Sequence, residues 1–321
     1  MNTIKLNQAR QTKVDTIEKL ELPAEKLQWQ PKAVDINPEK GTSLWADAMR
    51  RLMKNKMALF SAVYIIFVIL VTLCAPWLAS YSYEETDLIL GATPPSFDHW
   101  LGTDDLGRDM LTRILFGARV SMMVGLIATV VSVVIGVTYG AVAGYVGGKI
   151  DAVMMRAVDV IYVLPYTILV ILLMVLLGRN IYNLFIALGA IQWMVMARIV
   201  RGQVVSIKKM EYIEAARASG VKPLTIIFRH VIPNTLGPVI VFSTLTIPSV
   251  ILEEAFLSFI GLGVQAPMSS WGTLISDGVT AMEIYPWMII YPALTLVMTL
   301  FALNFLGDGL RDALDPKASK D

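Results

Sequence analysis

Apolar positions along the chain gather into long unbroken runs instead of alternating or recurring as narrow stripes. Six runs stand out, at about 57–80, 120–143, 157–178, 181–197, 236–256 and 286–306. A bilayer crossing needs ~20 mostly apolar residues in a helix. Lipid satisfies no backbone polar group, so all six are expected as helices. Only Arg179 and Asn180 separate the third run from the fourth, which predicts a tight helical hairpin. Residues 1–44 are Lys-, Glu- and Gln-rich with scattered Pro, and predict a polar tail with weak helix at most.

Composition supports this pattern. Of 321 residues, 55% are hydrophobic and 17% charged, with a mean hydropathy of +0.61. An all-α integral membrane protein with six transmembrane helices follows, with the lipid bilayer as its solvent. The net charge of +1 says little, and no nucleic-acid partner is expected. The placement of charge says more. Alternating the runs from an inside N-terminus puts 16 Lys and Arg in short inner flanks: Arg50, Arg51, Lys54, Lys56, Lys149, Arg156, Arg198, Arg201, Lys208, Lys209, Arg217, Lys222, Arg229, Arg311, Lys317 and Lys320. Only Arg108, Arg113, Arg119 and Arg179 fall outside. The positive-inside bias therefore predicts both termini in the cytoplasm. The first run is too long for a signal-peptide core and follows a polar leader. Cys74 is the single cysteine, which excludes an intramolecular disulfide and a cysteine metal cluster.

Catalytic chemistry finds no support. His99 and His230 are the only histidines, and no HExxH or GxSxG is present. "AGYVGGKI" (143–150) faintly resembles a phosphate loop, but Ala143 replaces the leading Gly and Ile150 the Mg²⁺-binding hydroxyl. No catalytic, cofactor-binding or metal-binding residue is expected on this chain. Gly136, Gly140, Gly144 and Gly148 recur every four residues and share a helix face. Such faces let membrane helices approach closely, either as a static packing seam or as a contact that slides.

Between two apolar runs lies "EYIEAARASGVKP" (211–223). Glu214 falls early in a short helix, and Ala215, Ala216 and Ala218 give it a slim profile. Gly220 suits a left-handed stop and Pro223 the first turn of the next helix. Two short helices at an angle, projecting from the membrane, would fit a groove on another protein. "EAARASG", with Pro233 thirteen residues after Gly220, resembles the EAA loop of bacterial ABC importer permeases; His230 departs from that pattern, which usually has an aliphatic residue there. The resemblance implies that Glu214, Ala215, Ala216, Gly220 and Pro233 couple this chain to a separate ATPase.

Further motifs narrow the family. "HWLGTDDLGRDMLTRILFGARVS" (99–121), "WADAMRRLMKNKMAL" (45–59), "EEAFLSFIGLG" (253–263) and "GDGLRDALDP" (307–316) are similar to segments of C-type subunits of the oligopeptide/dipeptide/nickel permease family. What this implies is a type I ABC importer permease fold in a bacterial cell membrane. Residues 1–44 would be a cytoplasmic tail, and 45–118 a basic leading helix, first span and extracytoplasmic loop. Residues 119–310 would form a five-helix core with a cytoplasmic coupling loop at 198–234, and 311–321 a cytoplasmic C-terminal tail. The chain would form half a pore for oligopeptides or dipeptides, paired with a homologous second permease subunit. Two ATPase subunits would hold ATP and Mg, and an extracytoplasmic substrate-binding protein would deliver cargo. Importers of nickel, glutathione or opines are alternatives within the family. A secondary transporter would carry repeats or mid-span charges, and a stand-alone channel would lack the 198–234 loop.

Two polar groups remain. Thr103 is expected to cap a helix on the outer membrane surface, with Asp104 and Asp105 in its first turn and Leu106, Leu111, Met110, Ile114 and Leu115 on an apolar stripe. Asp104, Asp105, Arg108 and Asp109 then either dock the binding protein or form a solvated face. Glu253 and Glu254 are an adjacent acidic pair inside an apolar run. At mid-bilayer a charged carboxylate costs ~2.5–3.5 kcal/mol on the lenient scale. Seventeen residues from Leu236, or ~26 Å, the pair is expected at the outer edge instead, lining the pore mouth, marking the water boundary or pairing with the second permease. "AFLSFIGLGV" beyond it would be a second apolar element.

Overall fold

The protein, seen in a computed structural model, is described over residues 44–314. The expected tail lies outside these residues apart from Leu44, as do 315–321 of the C-terminal segment. Helix α1 (Leu44–Lys54) is amphipathic and basic, and Asn55 then caps α2 (Lys56–Leu78) by accepting the Ala58 N–H at 3.2 Å. After a long loop comes α3 (Met110–Val146), followed by α4 (Gly148–Tyr162), α5 (Tyr166–Leu177) and α6 (Ile181–Ile207). Two short helices, α7 (Glu211–Ala218) and α8 (Pro223–Ile226), lead through a π turn (Ile227–Val231) into α9 (Leu236–Phe259). Helices α10 (Trp271–Ala281) and α11 (Trp287–Leu314) complete the described residues. Five of these, α2, α3, α6, α9 and α11, are long and apolar enough to cross a membrane, and α4 with α5 forms a bent sixth candidate.

Helix α3 is the spine. Its 37 residues span ~55 Å at 1.5 Å per residue, and its most extensive partner is α6. On α2, Ser61, Ile65, Val68, Thr72 and Ala75 recur at helical spacing and are buried. Ile65 and Val68 join Leu296, Ala302 and Leu303 of α11 in one cluster. The opposite stripe of α2, including Val63, Phe67, Leu70 and Trp77, stays exposed, as a lipid-facing or partner-facing surface requires.

Several expectations need correction. The run 157–178 is not one straight helix: α4 and α5 meet at 84°. Pro165 is the cause, because it offers no N–H and pushes Leu164 out of the α region. Helix α5 still forms a hairpin with α6, turned at Gly178 and capped by Asn180, whose side chain accepts the Tyr182 N–H. No helix starts at Thr103. Residues 101–109 form a tight loop pinned by a Thr103–Asp109 bridge, and α3 begins at Met110 under the Asp109 cap. Gly107 explains the loop: its φ is +73°, and a Cβ there would lie 2.0 Å from the Asp87 carbonyl oxygen. Leu106 consequently leaves the predicted stripe and is exposed, while Met110 and Ile114 are buried against Leu274 and Met288. "AFLSF" is no second element either, since α9 runs unbroken through Pro248 to Phe259. The additional element is α10, which starts at a capping box between Ser270 and Thr273. Gly148 leaves the glycine face; with φ +59° and open space around it, it starts α4.

Candidate functional site

The segment 208–235 emerges from the end of α6, which continues to Ile207, ten residues past its apolar run. The basic residues there are partly committed. Arg201 grips Asp151 of α4 with two bonds, 2.6 and 2.7 Å, and Arg198 reaches Asp159 at 2.9 Å while lying 4.2 Å from the Tyr162 ring centre. Bidentate arginine–carboxylate pairs fix geometry as well as charge. Lys208 donates to the Gly144 carbonyl at 2.8 Å, which places a cation at the C-terminal end of α3.

Helix α7 stands on one residue. Ile213 is fully buried in a cluster with Val137 and Ala141 of α3, Val200 and Val204 of α6, and Ile226, Ile227 and Val231. Glu211, Tyr212, Glu214, Ala215, Arg217 and Ala218 are exposed, and Ala216 is half-buried. Glu211 and Glu214 lie in the first turn, where the helix dipole favours acids. The helix ends in a Schellman motif: Gly220 N–H donates to Arg217 O (3.0 Å) and Val221 N–H to Ala216 O (3.2 Å), with Gly220 at φ +77°. Pro223 then occupies the first turn of α8, and Pro233 lies exposed beyond the π turn. Four of the five expected coupling residues, Glu214, Ala215, Ala216 and Gly220, thus lie on one small projection, with Glu214, Ala215 and Gly220 exposed, while Pro233 lies outside it.

This projection packs onto the α3–α6 seam. A Cβ on Gly136 would lie 2.6 Å from Met196, on Gly140 2.3 Å from the Ala197 carbonyl, and on Gly144 2.9 Å from Val204. Gly189 of α6 answers from the other side, with Val131 at 2.8 Å. The two backbones are therefore as close as small residues allow, and Val137 and Ala141 carry the same seam into the Ile213 cluster.

At the far end of α3 the polar residues behave differently. Asp104 is buried, and its Oδ1 accepts the N–H groups of Leu106 and Arg108, both at 2.9 Å. Its Oδ2 takes Arg108 Nε at 2.7 Å and Arg113 Nη1 at 2.5 Å. Arg113 extends the network to Asp277 of α10 at 3.4 Å. Asp109 is buried too, capping Thr112 at 2.8 Å and contacting His99 Nδ1 at 3.0 Å. Asp105 is exposed at the loop tip and Arg108 is half-buried beside it.

The acidic pair splits as well. Glu254 is wholly buried and accepts from Ser258 (2.6 Å) and Ser121 (3.2 Å); Ser121 in turn accepts the Trp271 N–H. It ties α9 to α3 and α10. Glu253 is half-buried and faces α5 and α6, accepting from the Tyr166 hydroxyl and from Gln192 Nε2 at 3.1 and 3.0 Å. Sequence reasoning missed Ile213, Tyr166 and Gln192. Gln192 had a signal, as a polar amide deep within the run 181–197, well past Asn183 at its start.

Comparison with known proteins identifies the family. The family described as "Binding-protein-dependent transport system inner membrane component" matches residues 136–320. "N-terminal TM domain of oligopeptide transport permease C" matches residues 43–95. The chain is 51% identical to the oligopeptide transport system permease protein OppC of Escherichia coli (strain K12), over 87% of this chain and 93% of that one. It is 48% identical to the dipeptide transport system permease protein DppC of Bacillus subtilis (strain 168), over 84% and 85%. To the glutathione transport system permease protein GsiD of Shigella flexneri it is 40% identical, over 88% and 93%. With more than half the chain inside the matched region and relatives aligned over nearly their whole length, the chain belongs to the binding-protein-dependent transport system inner membrane component family, as a C-type permease.

Proposed function

We propose that the chain is the C-type membrane subunit of an ATP-driven peptide importer and supplies half of its pore, a homologous second permease subunit supplying the rest. Two ATPase subunits bind ATP and Mg on the cytoplasmic side, where both termini lie, and an extracytoplasmic binding protein delivers the peptide. The observation that carries the coupling is the projection 211–223. It has an exposed small-residue face, a buried Ile213 foot, and a direct path into α3 and α6. An ATPase groove that closes around α7 moves Ile213, and the α3–α6 seam moves with it as a unit. Access then alternates between the two sides, biased by different contacts in each state. At the other end, the exposed Asp105 is what the clamp leaves available for the binding protein.

The test is uptake by the assembled complex in proteoliposomes, with ATP inside and the binding protein outside. A labelled tripeptide accumulates only when both are present. Accumulation driven by an ion gradient without ATP contradicts the reading and makes the chain a secondary transporter.

A further inference from the structure

Glu253 and Glu254 are neighbours in sequence, yet only one of them borders open space. Glu254 has no exposed surface. Glu253 lines two cavities at once. One, of about 410 Å³, is walled by the helix break Tyr162–Tyr166 together with Gln192. The other, of about 520 Å³, is walled by α9 residues from Leu252 to Phe259 and by Gly272 and Ile275 of α10. Tyr166 is the other residue lining both. The bond between the Tyr166 hydroxyl and Glu253 therefore stands where the two cavities meet.

The location is chemically unusual. Backbone that leaves the helix at membrane depth is tolerated where protein buries it or where it lines a watery cavity. Here the break exposes Val163 and Leu164 beside the first cavity. Among the described residues no Lys or Arg comes within ion-pair distance of Glu253. Its three hydrogen bonds come from neutral donors on two other helices, Tyr166 and Gln192. A carboxylate held by neutral donors at a cavity junction can exchange them for a cation without leaving a buried charge unpaired.

Resting on the peptide-importer reading, we propose that Glu253 is a cargo-binding point inside the translocation path, receiving the α-ammonium of the passing peptide. An ammonium carries three donors, enough to replace both Tyr166 and Gln192. Their release opens the Tyr166–Glu253 partition, so the junction opens to cargo of the right charge. Glu254 has no part in this; it holds the wall.

The experiment uses the reconstituted complex with saturating binding protein, and a tripeptide with either a free or an acetylated amino end. Glu253→Gln keeps the shape and removes the charge. It lowers the initial uptake of the free-amine peptide at least tenfold. The ratio of free-amine to N-acetyl uptake falls toward one. Glu253→Asp restores free-amine uptake to within about threefold of wild type. Unchanged uptake or an unchanged ratio in Glu253→Gln overturns the proposal, as does an equal loss in Glu253→Asp, which marks a structural role. A wild-type complex that takes up neither peptide with ATP sinks the importer reading instead.

Discussion

The two ends of α3 are built on opposite plans. Arg113 and Gly144 lie 31 positions apart on one helix, ~46 Å at the α-helical rise. Around Arg113 the chain is fastened by buried charge: Asp104 accepts four hydrogen bonds from Leu106, Arg108 and Arg113, and Trp287 adds its indole N–H to the Thr103 carbonyl at 3.0 Å. Around Gly144 the attached segment is held by apolar contacts beneath Ile213 and by the Lys208 bond, and most of α7 is left bare. One end is fastened; the other is left bare, as the proposed grip by an ATPase requires. Mutations should therefore divide, with stability lost at the clamp and transport lost at the projection.

The largest stability effect belongs to Asp104→Asn. It takes the nearer carboxylate away from the guanidinium of Arg113, only 5% exposed, and leaves it with Asp277 alone at 3.4 Å; breaking a buried pair costs ~3–5 kcal/mol. Thermal unfolding in detergent should show the largest fall of any single substitution here. A loss under about 1 kcal/mol would mean that the clamp is not what fixes this end.

Next comes the seam joining the two ends. Gly140→Ala forces a methyl to within 2.3 Å of the Ala197 carbonyl and should cost ~1–3 kcal/mol through overpacking. Gly202→Ala, on the same α6 but with nothing within 4 Å, should instead be neutral or stabilising by up to ~1 kcal/mol. Equal effects from both would show that the seam is loose.

At the projection the order of effects reverses. Gly220→Leu meets no neighbouring atom within 4 Å at its Cβ, so its cost is the left-handed backbone alone, ~1–2 kcal/mol. Glu214→Lys changes an exposed site and should alter stability by less than ~0.5 kcal/mol. Both variants should insert and fold, yet lose uptake and co-purify poorly with the ATPase subunits. Normal uptake by both breaks the comparison at its functional end.

The smallest perturbation only assigns the two ends to sides. A reporter fused after Asp321 should read as internal, and one inserted at Gly91 as external. The reverse pair of signals inverts the map.

The sequence showed its apolar lengths more clearly than its local geometry. Crossing helices were legible because lipid leaves the backbone so little choice, and α7 with its Gly220 stop was legible because turn chemistry is local. The break at Pro165 carried its own warning, but an apolar run of full span length masked it. Thr103 looked like a cap because Asp104 and Asp105 follow it. The positive φ of Gly107 and the partner Arg113, nine residues beyond Asp104, turned that stretch into a loop instead. The acidic pair could not be divided from the sequence at all, since Ser121, Gln192 and Tyr166 come from distant segments. Helix α10 was too short and too mixed to stand out by hydropathy.

The central claim is that the exposed face of α7 is where the ATPase holds this chain. Ala215→Cys in a Cys74→Ser background, labelled with a benzophenone and illuminated within the assembled complex, tests it directly. The account predicts a crosslink to an ATPase subunit whose yield changes between the ATP-bound and nucleotide-free states. Crosslinks confined to lipid or to the second permease subunit would contradict it.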